Sequence, residues 1–212
     1  MPVIAVISLG EEAAGRLARA CGLPLLYRET VERLAGRVGT PARRIARLLD
    51  GSAGLLERLT ADRTSLSICC ADEILSCAAK GRAAVMPAWG VSRLLSGAPQ
   101  VACIGAGESP ARCMDTALAL MRSGSFAQTD ASQRRLEDLA LVWRVRAALR
   151  LSAPTRGLRI AVGAERGRIT LEGIVDSGAQ RSDAGEVAAG VAGVRSLDNL
   201  LRAADGLRPR FT

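Results

Sequence analysis

Two rhythms of apolar spacing run along the chain, and the change between them divides it. The opening run, Pro2 to Ser8, is almost continuously apolar and predicts a buried strand. Ala14, Leu17, Ala18 and Cys21 then recur on one face of a helix from Glu11 to about Cys21, which Gly22 and Pro24 stop. Leu25–Tyr27 predicts a short extended piece. Helices follow over Glu29–Val38, Pro41–Leu49, Leu55–Leu59 and Ser65–Ala79, with Thr40 as the cap of the second and Pro41 at its first position. Ala83–Met86 and Gln100–Gly105 predict two more buried strands, separated by a helix around Val91–Leu95. A further helix covers Pro110–Met121. Strands alternating with helices predict an α/β layer structure with a parallel sheet.

The stretch RSGSFAQTDASQ (Arg122–Gln133) is small and polar and breaks that alternation. It predicts a linker at 122–133 between a domain at 1–121 and a second at 134–203, with a tail at 204–212. The second domain opens on a helix that carries Leu139, Val142, Val145 and Leu149 on one face. Two period-two runs follow, Leu158, Ile160, Val162 and then Ile169, Leu171, Gly173, Val175. They predict antiparallel strands joined around AERG, with Gly167 in the turn. Gly173, inside a strand, permits a bulge or a close helix crossing. A helix with Ala184, Val187, Ala188 and Val191 on one face comes next, Gly193 is its expected C-cap, and VRSLDNLL makes a third strand. The order αββαβ predicts a small α+β sheet with helices over one face.

Composition narrows the range of partners. The chain has 212 residues, about half of them apolar, enough for one ordinary domain plus a small one. Its net charge of +8 is spread out: 15 basic against 12 acidic residues through Asp130, then 14 against 9. Charge without a polybasic block predicts solvated surface that can assist contact with acidic groups. Nucleic acid is disfavoured as a partner, because five aromatic residues leave few stacking platforms. The GVAG stretch at Gly190–Gly193 fits a G-x-x-G pattern, but it joins a helix to a strand and holds no basic residue. Six cysteines without a C-x-x-C pair, in a chain with no histidine, predict reduced structural thiols and no metal site. The opening run has no basic region before it and no stretch reaches membrane-span length. The expectation is a cytoplasmic protein, at most peripheral to a membrane, with no signal peptide and no transmembrane segment.

Up to about Gly107, IAVIS, GRLARACGLPLLYRE, TPARRIARLLD and AAVMPAWGVSRLLSGAPQVACIGAGESPAR occur in the order of a known family. This stretch resembles the cytidylate kinase-like family of P-loop kinases. The resemblance implies a P-loop-kinase-like parallel sheet with flanking helices. In the alternative reading it also implies an active, ATP-dependent nucleoside (cytidine) monophosphate kinase with Mg and an unusual P-loop. The loop itself opposes that activity. A phosphate loop needs enough chain for successive backbone N–H groups to face one phosphate, with a helix N-terminus and a cation completing the cradle. Here only Ser8, Leu9 and Gly10 separate Ile7 from Glu11, about five residues fewer than the family's glycine-rich loop.

Charge adds to the deficit. Glu11 and Glu12 occupy the first helical turn, and a carboxylate about 4 Å from a phosphate costs roughly 4 kcal/mol at an effective dielectric of 20. Arg16 and Arg19 lie more than a turn further on, and Lys80 is far along the chain. The family's Y-D becomes Tyr27-Arg28, and its G-R-G-A becomes Pro87-Ala88-Trp89-Gly90 with Arg93 nearby. Arg112 and Arg122 read as solvated helix faces. The expectation is a degenerate domain, a pseudoenzyme with no catalytic residue and no cofactor. Ser8, Gly10 and Arg16 then mark only a vestigial nucleotide-loop position.

DLALVWRVRAAL and GLRIAVGAERGRITLEGIVDSGAQRSDAGEVAAGVAGVRSLDNLL strongly resemble a BON domain, over Glu137 to about Arg202. The resemblance implies a non-catalytic module of the kind associated, in bacterial envelope and stress proteins, with phospholipid attachment and protein–protein contact. Trp143 is expected near the edge of its helix's buried face, beside Arg144, Arg146 and Arg150. Such a tryptophan suits a lipid headgroup layer or a partner protein. The expected partners are a protein, an anionic membrane surface, or a second copy of the chain.

Overall fold

The computed structural model describes residues 3–7, 9–105, 109–123 and 129–207. Ser8, the linker interior at 124–128 and the tail from 208 lie outside the described residues. The molecule is a mixed α/β protein with two small sheets, and it divides into compact units at Met1–Glu137 and Asp138–Thr212.

In the first unit β1 (Val3–Ile7) lies between β2 (Ala84–Ala88) and β3 (Val101–Ile104), both parallel to it. Val3 through Val6 and all five residues of β2 are buried. Neighbouring residues on a strand face opposite ways, so both faces of this sheet are covered, as its unbroken apolar runs require. β2 tolerates Pro87 because it is an edge strand. Its outer side is partly closed by the Pro24–Leu26 segment: Val85 donates its N–H to the Pro24 carbonyl and Leu26 donates to that of Val85, both at 2.9 Å.

Among the described residues six helices accompany this sheet: α1 (Glu11–Cys21), α2 (Tyr27–Val38), α3 (Ala42–Asp50), α4 (Leu55–Thr60), α5 (Arg63–Ala79) and α6 (Pro110–Arg122). α5 packs against all three strands and buries residues on several sides, from Leu66 and Cys69 to Ile74 and Leu75. Its N-terminus is fixed by Asp62, whose carboxylate accepts from the Ser65 N–H at 3.0 Å.

Three local expectations are corrected. Val91–Leu95 forms a single turn, closed by Leu95 N–H to the Val91 carbonyl at 2.9 Å. Five residues between Gly90 and the Ser96-Gly97 pair are too few to offset helix nucleation. Pro41, with ψ 135, flanks α3 from outside the helix, so Thr40 is not its cap. α2 starts at Tyr27, inside the stretch read as extended.

The second unit has the order read from its periodicity: α7 (Asp130–Leu151, which begins in the first unit), β4 (Ala161–Glu165), β5 (Arg168–Val175), α8 (Gly178–Ala189) and β6 (Ser196–Ala203). A 3₁₀ turn at Ala204–Leu207 follows. β5 is central, antiparallel to β4 and parallel to β6. Arg166 and Gly167, both with positive φ, make the two-residue hairpin turn between β4 and β5. Leu141, Val145 and Leu149 of α7, Ala184 and Ala188 of α8, and Val162, Ile169, Leu171, Val175 and Leu201 of the sheet form one core.

Here too the details differ. Gly173 (φ 146) admits backbone instead of a helix: a Cβ there would stand 2.7 Å from the Arg159 carbonyl oxygen. That approach carries Leu158 and Ile160 toward the core before β4 begins. α8 ends at Ala189 with Gly190 as its cap, so Gly193 belongs to the following turn, packed against Leu141 and Arg144.

Candidate functional site

The turn from β1 into α1 is the first candidate. Leu9 is 8% exposed, and Gly10 precedes the helix in an extended conformation. The Gly10 carbonyl already accepts the first helical bond, from Ala14 N–H at 3.0 Å. Glu11 and Glu12 stand in the first turn, where they offset the positive end of the helix dipole. Each has an arginine: Arg28 lies 3.6 Å from Glu11, and Arg16 lies 3.2 Å from Glu12. Arg16 is therefore paired within its own helix. Arg28 is paired across to α1.

The ends of the neighbouring strands are also occupied by protein. Trp89 is half-buried at the end of β2, with the Arg63 guanidinium 5.2 Å from its ring centroid. A Cβ on Gly90 would meet the Ser67 hydroxyl at 2.6 Å. Arg93, Arg112 and Arg122 are exposed. The Tyr27 phenol is buried and has no hydrogen-bond partner among the described residues. Burial, aided by the Asp50 and Glu11 carboxylates, pushes it far above its ordinary range.

A charged cluster between α2 and α5 was not anticipated. Arg37 reaches Asp72 at 2.8 Å and Glu73 at 3.2 Å, and Arg33 reaches Glu73 at 2.7 Å. Burial would lower the Arg37 guanidinium, but Asp72, through charge and a hydrogen bond, and Glu73 carry it above its ordinary value. The cluster is an inter-helix clamp. Its signal in the sequence was an acidic pair inside the otherwise small and apolar run Cys69–Ala79. All six cysteines are free thiols. Burial raises Cys69, Cys70 and Cys77, and brings Cys103 to about 11, so these thiols hold their protons at neutral pH.

In the second unit α7 carries the other candidates, and its packing corrects the expectation for Trp143. Leu136, Ala140, Trp143 and Ala147 share one buried stripe, while Leu141, Val145 and Leu149 share another. Leu139 and Val142 are half-buried between them, and Val142 packs against the core as expected. Trp143 is 5% exposed and is capped by the Arg146 guanidinium 4.8 Å from its ring centroid. Burial lowers Arg146. Arg144 donates to the Ala192 carbonyl and Arg150 to that of Arg156, each at 2.8 Å. Trp143 and Arg146 are thus brought together, while Arg144 and Arg150 each brace a separate loop.

The sheet of this unit leaves its outer face open, and Ile174 and Leu200 are exposed on it among Arg168, Glu172, Asp198 and Arg202. Each is an apolar residue in the polar phase of its strand, a signal present in the alternation but not used. Among the described residues no group of three or more His, Cys, Asp or Glu side chains could hold a metal ion, and no helix is long and apolar enough to cross a membrane.

A search of curated proteins finds no match to the chain. A family match falls on the second unit, over the stretch that holds the second half of α7, the three-stranded sheet and α8. Residues 138–205 are a BON domain.

Proposed function

We propose that this is a non-catalytic interaction protein, in which a kinase-like α/β unit without a phosphate cradle accompanies a BON domain that makes the contacts. The observation carrying this reading is the β1–α1 turn. Leu9 is buried in it, Glu11 and Glu12 fill the helix N-terminus, and Arg28 and Arg16 are paired with them. An active nucleoside monophosphate kinase would need a free cation at its phosphate loop, and would have to place a triphosphate against two carboxylates.

BON domains are linked to phospholipid or protein interaction, which supports a protein or an anionic membrane surface as the partner class. Arg144, Arg146 and Arg150 keep part of their surface exposed and can contribute charge to such a contact. The Trp143 ring cannot, because it is buried. Thermal unfolding tests the non-catalytic reading. A ligand that binds the native state raises its melting temperature, by about 2.7 kcal/mol of added stability at a hundredfold excess over Kd. ATP–Mg and CMP at about 1 mM are expected to leave the midpoint unchanged. A rise with either nucleotide overturns the proposal.

A further inference from the structure

We propose that β4 is a self-pairing edge, through which two copies of the chain join their BON sheets by an antiparallel β4–β4 ladder. In the order β4–β5–β6 each outer strand has one side without a neighbouring strand, and the two sides are treated differently. On β6 that side is satisfied from within. The Leu201 N–H donates to the Asn199 Oδ1 at 3.3 Å, and the Asn199 carbonyl accepts from the Arg181 guanidinium at 3.3 Å. The Asn199 amide is anchored in turn, donating to the Arg181 carbonyl of α8 at 2.8 Å. A Cβ on Gly185 would stand 2.8 Å from that amide nitrogen, so the helix leaves room for it.

β4 has no such cover. Arg166 and Gly167, with φ 51 and 83, form the two-residue turn, so Glu165 and Arg168 are a hydrogen-bonded pair. Alternation then turns Gly163 and Ala161 toward β5 and aims the N–H and C=O groups of Ala164 and Val162 outward, with Ile160 continuing that row. Among the described residues nothing bonds to these outward groups, and β5 is the one element packed extensively along β4. The stretch Ala161–Ala164 has no charge and no proline, and its register with β5 has no bulge, so the devices that keep edges apart are missing from it.

Charge and register identify the occupant as a second copy. An antiparallel ladder centred on Val162 pairs that residue with its counterpart and Ile160 with the second copy's Ala164, using every outward group of the row. It also sets Glu165 directly opposite the second copy's Arg159, once on each side of the axis, in the closely spaced non-hydrogen-bonded positions. Both residues are exposed, and neither has an ion pair among the described residues. Arg168, across from Glu165 in the hairpin, lies 3.8 Å from Asp198 instead. Arg159 shares the open face with Glu165 because Leu158 and Ile160 turn toward the core. A parallel alignment would set like charges side by side, and a slip of two residues would separate the opposite ones. This inference rests on the reading of the BON domain as the contact-making unit and names its partner.

Sedimentation velocity of the full chain between about 5 and 500 μM tests it. A ladder between two strands of 5 residues covers less than the roughly 800 Å² per partner of a standard interface, so a reversible dimer with a Kd on the order of 50 μM is expected. R159E and E165R each place like charges opposite one another and are expected to weaken the dimer about tenfold or more, with an unchanged melting temperature. Mixed together, the two variants restore both opposite-charge pairs and are expected to associate as tightly as the wild type. Ala164→Pro removes an outward N–H, spares the bonds to β5, and is expected to abolish the dimer. Hydrogen exchange supplies the local readout, with amides 160, 162 and 164 gaining protection as concentration rises. The proposal is overturned by a monomer at every concentration, by a dimer that R159E leaves as tight as the wild type, or by variants that fail to associate when mixed. A monomer would leave the non-catalytic reading standing, since nucleotide binding alone decides that question.

Discussion

The two sheets are each three strands wide, yet they leave different surfaces free for chemistry. In the first unit β1 and β2 are buried wherever their side chains are described, so the sheet offers only its strand ends. At β1 that end leads into buried Leu9 and two glutamates, each paired with an arginine. In the second unit one face is packed under helices and the other is open, with Ile174 and Leu200 exposed on it. A sheet covered on both sides can work only through its loops, whereas a half-covered sheet can work through a whole face. A change in one loop therefore weighs more on a sheet of the first kind than on one of the second.

Substitutions can break or sharpen that contrast. The largest expected effect is at Trp143, where a contact residue and a packing residue behave differently. As a buried ring, Trp143→Ala costs about 4 kcal/mol, read as a lowered midpoint in urea unfolding. A ring serving only a partner would leave the midpoint unmoved. In the first unit Asp72→Ala removes the most buried acid of the Arg37 clamp and costs about 2.5 kcal/mol, since it leaves the guanidinium with Glu73 alone. Gly173→Ala is next, at about 2 kcal/mol, because φ 146 is strained for any side chain and the new Cβ would press on the Arg159 carbonyl. Smallest is the double change Glu11→Gln and Glu12→Gln, expected to cost under about 1 kcal/mol through the helix dipole. It should create no nucleotide binding in calorimetry, because the charge is removed while the loop stays short.

Much of this contrast was legible beforehand, and what was not has physical causes. Unbroken apolar runs at Pro2–Ser8 and Ala83–Met86 indicated buried parallel strands, found at Val3–Ile7 and Ala84–Ala88, and the alternation of Ile169, Leu171, Gly173 and Val175 indicated a sheet covered on one face. The αββαβ order and the BON resemblance over 137–202 agree with the family match at 138–205. Trp143 was misplaced because α7 has two apolar stripes, and periodicity shows which residues share a face but not how many faces are covered. Leu55–Leu59 read only as a helix, and its exposed leucines escaped notice because an apolar pattern does not distinguish a buried face from an exposed one. The Arg33–Arg37–Asp72–Glu73 clamp joins residues more than thirty positions apart, beyond the reach of any local pattern.

The central claim is that the mouth of the first sheet cannot hold a nucleotide. Isothermal titration of the full chain with ATP–Mg addresses it most directly. The account predicts no saturable heat up to about 1 mM nucleotide, the range in which binding is worth only about 4 kcal/mol. A saturable isotherm with a micromolar Kd, abolished by Arg16→Ala, would contradict it.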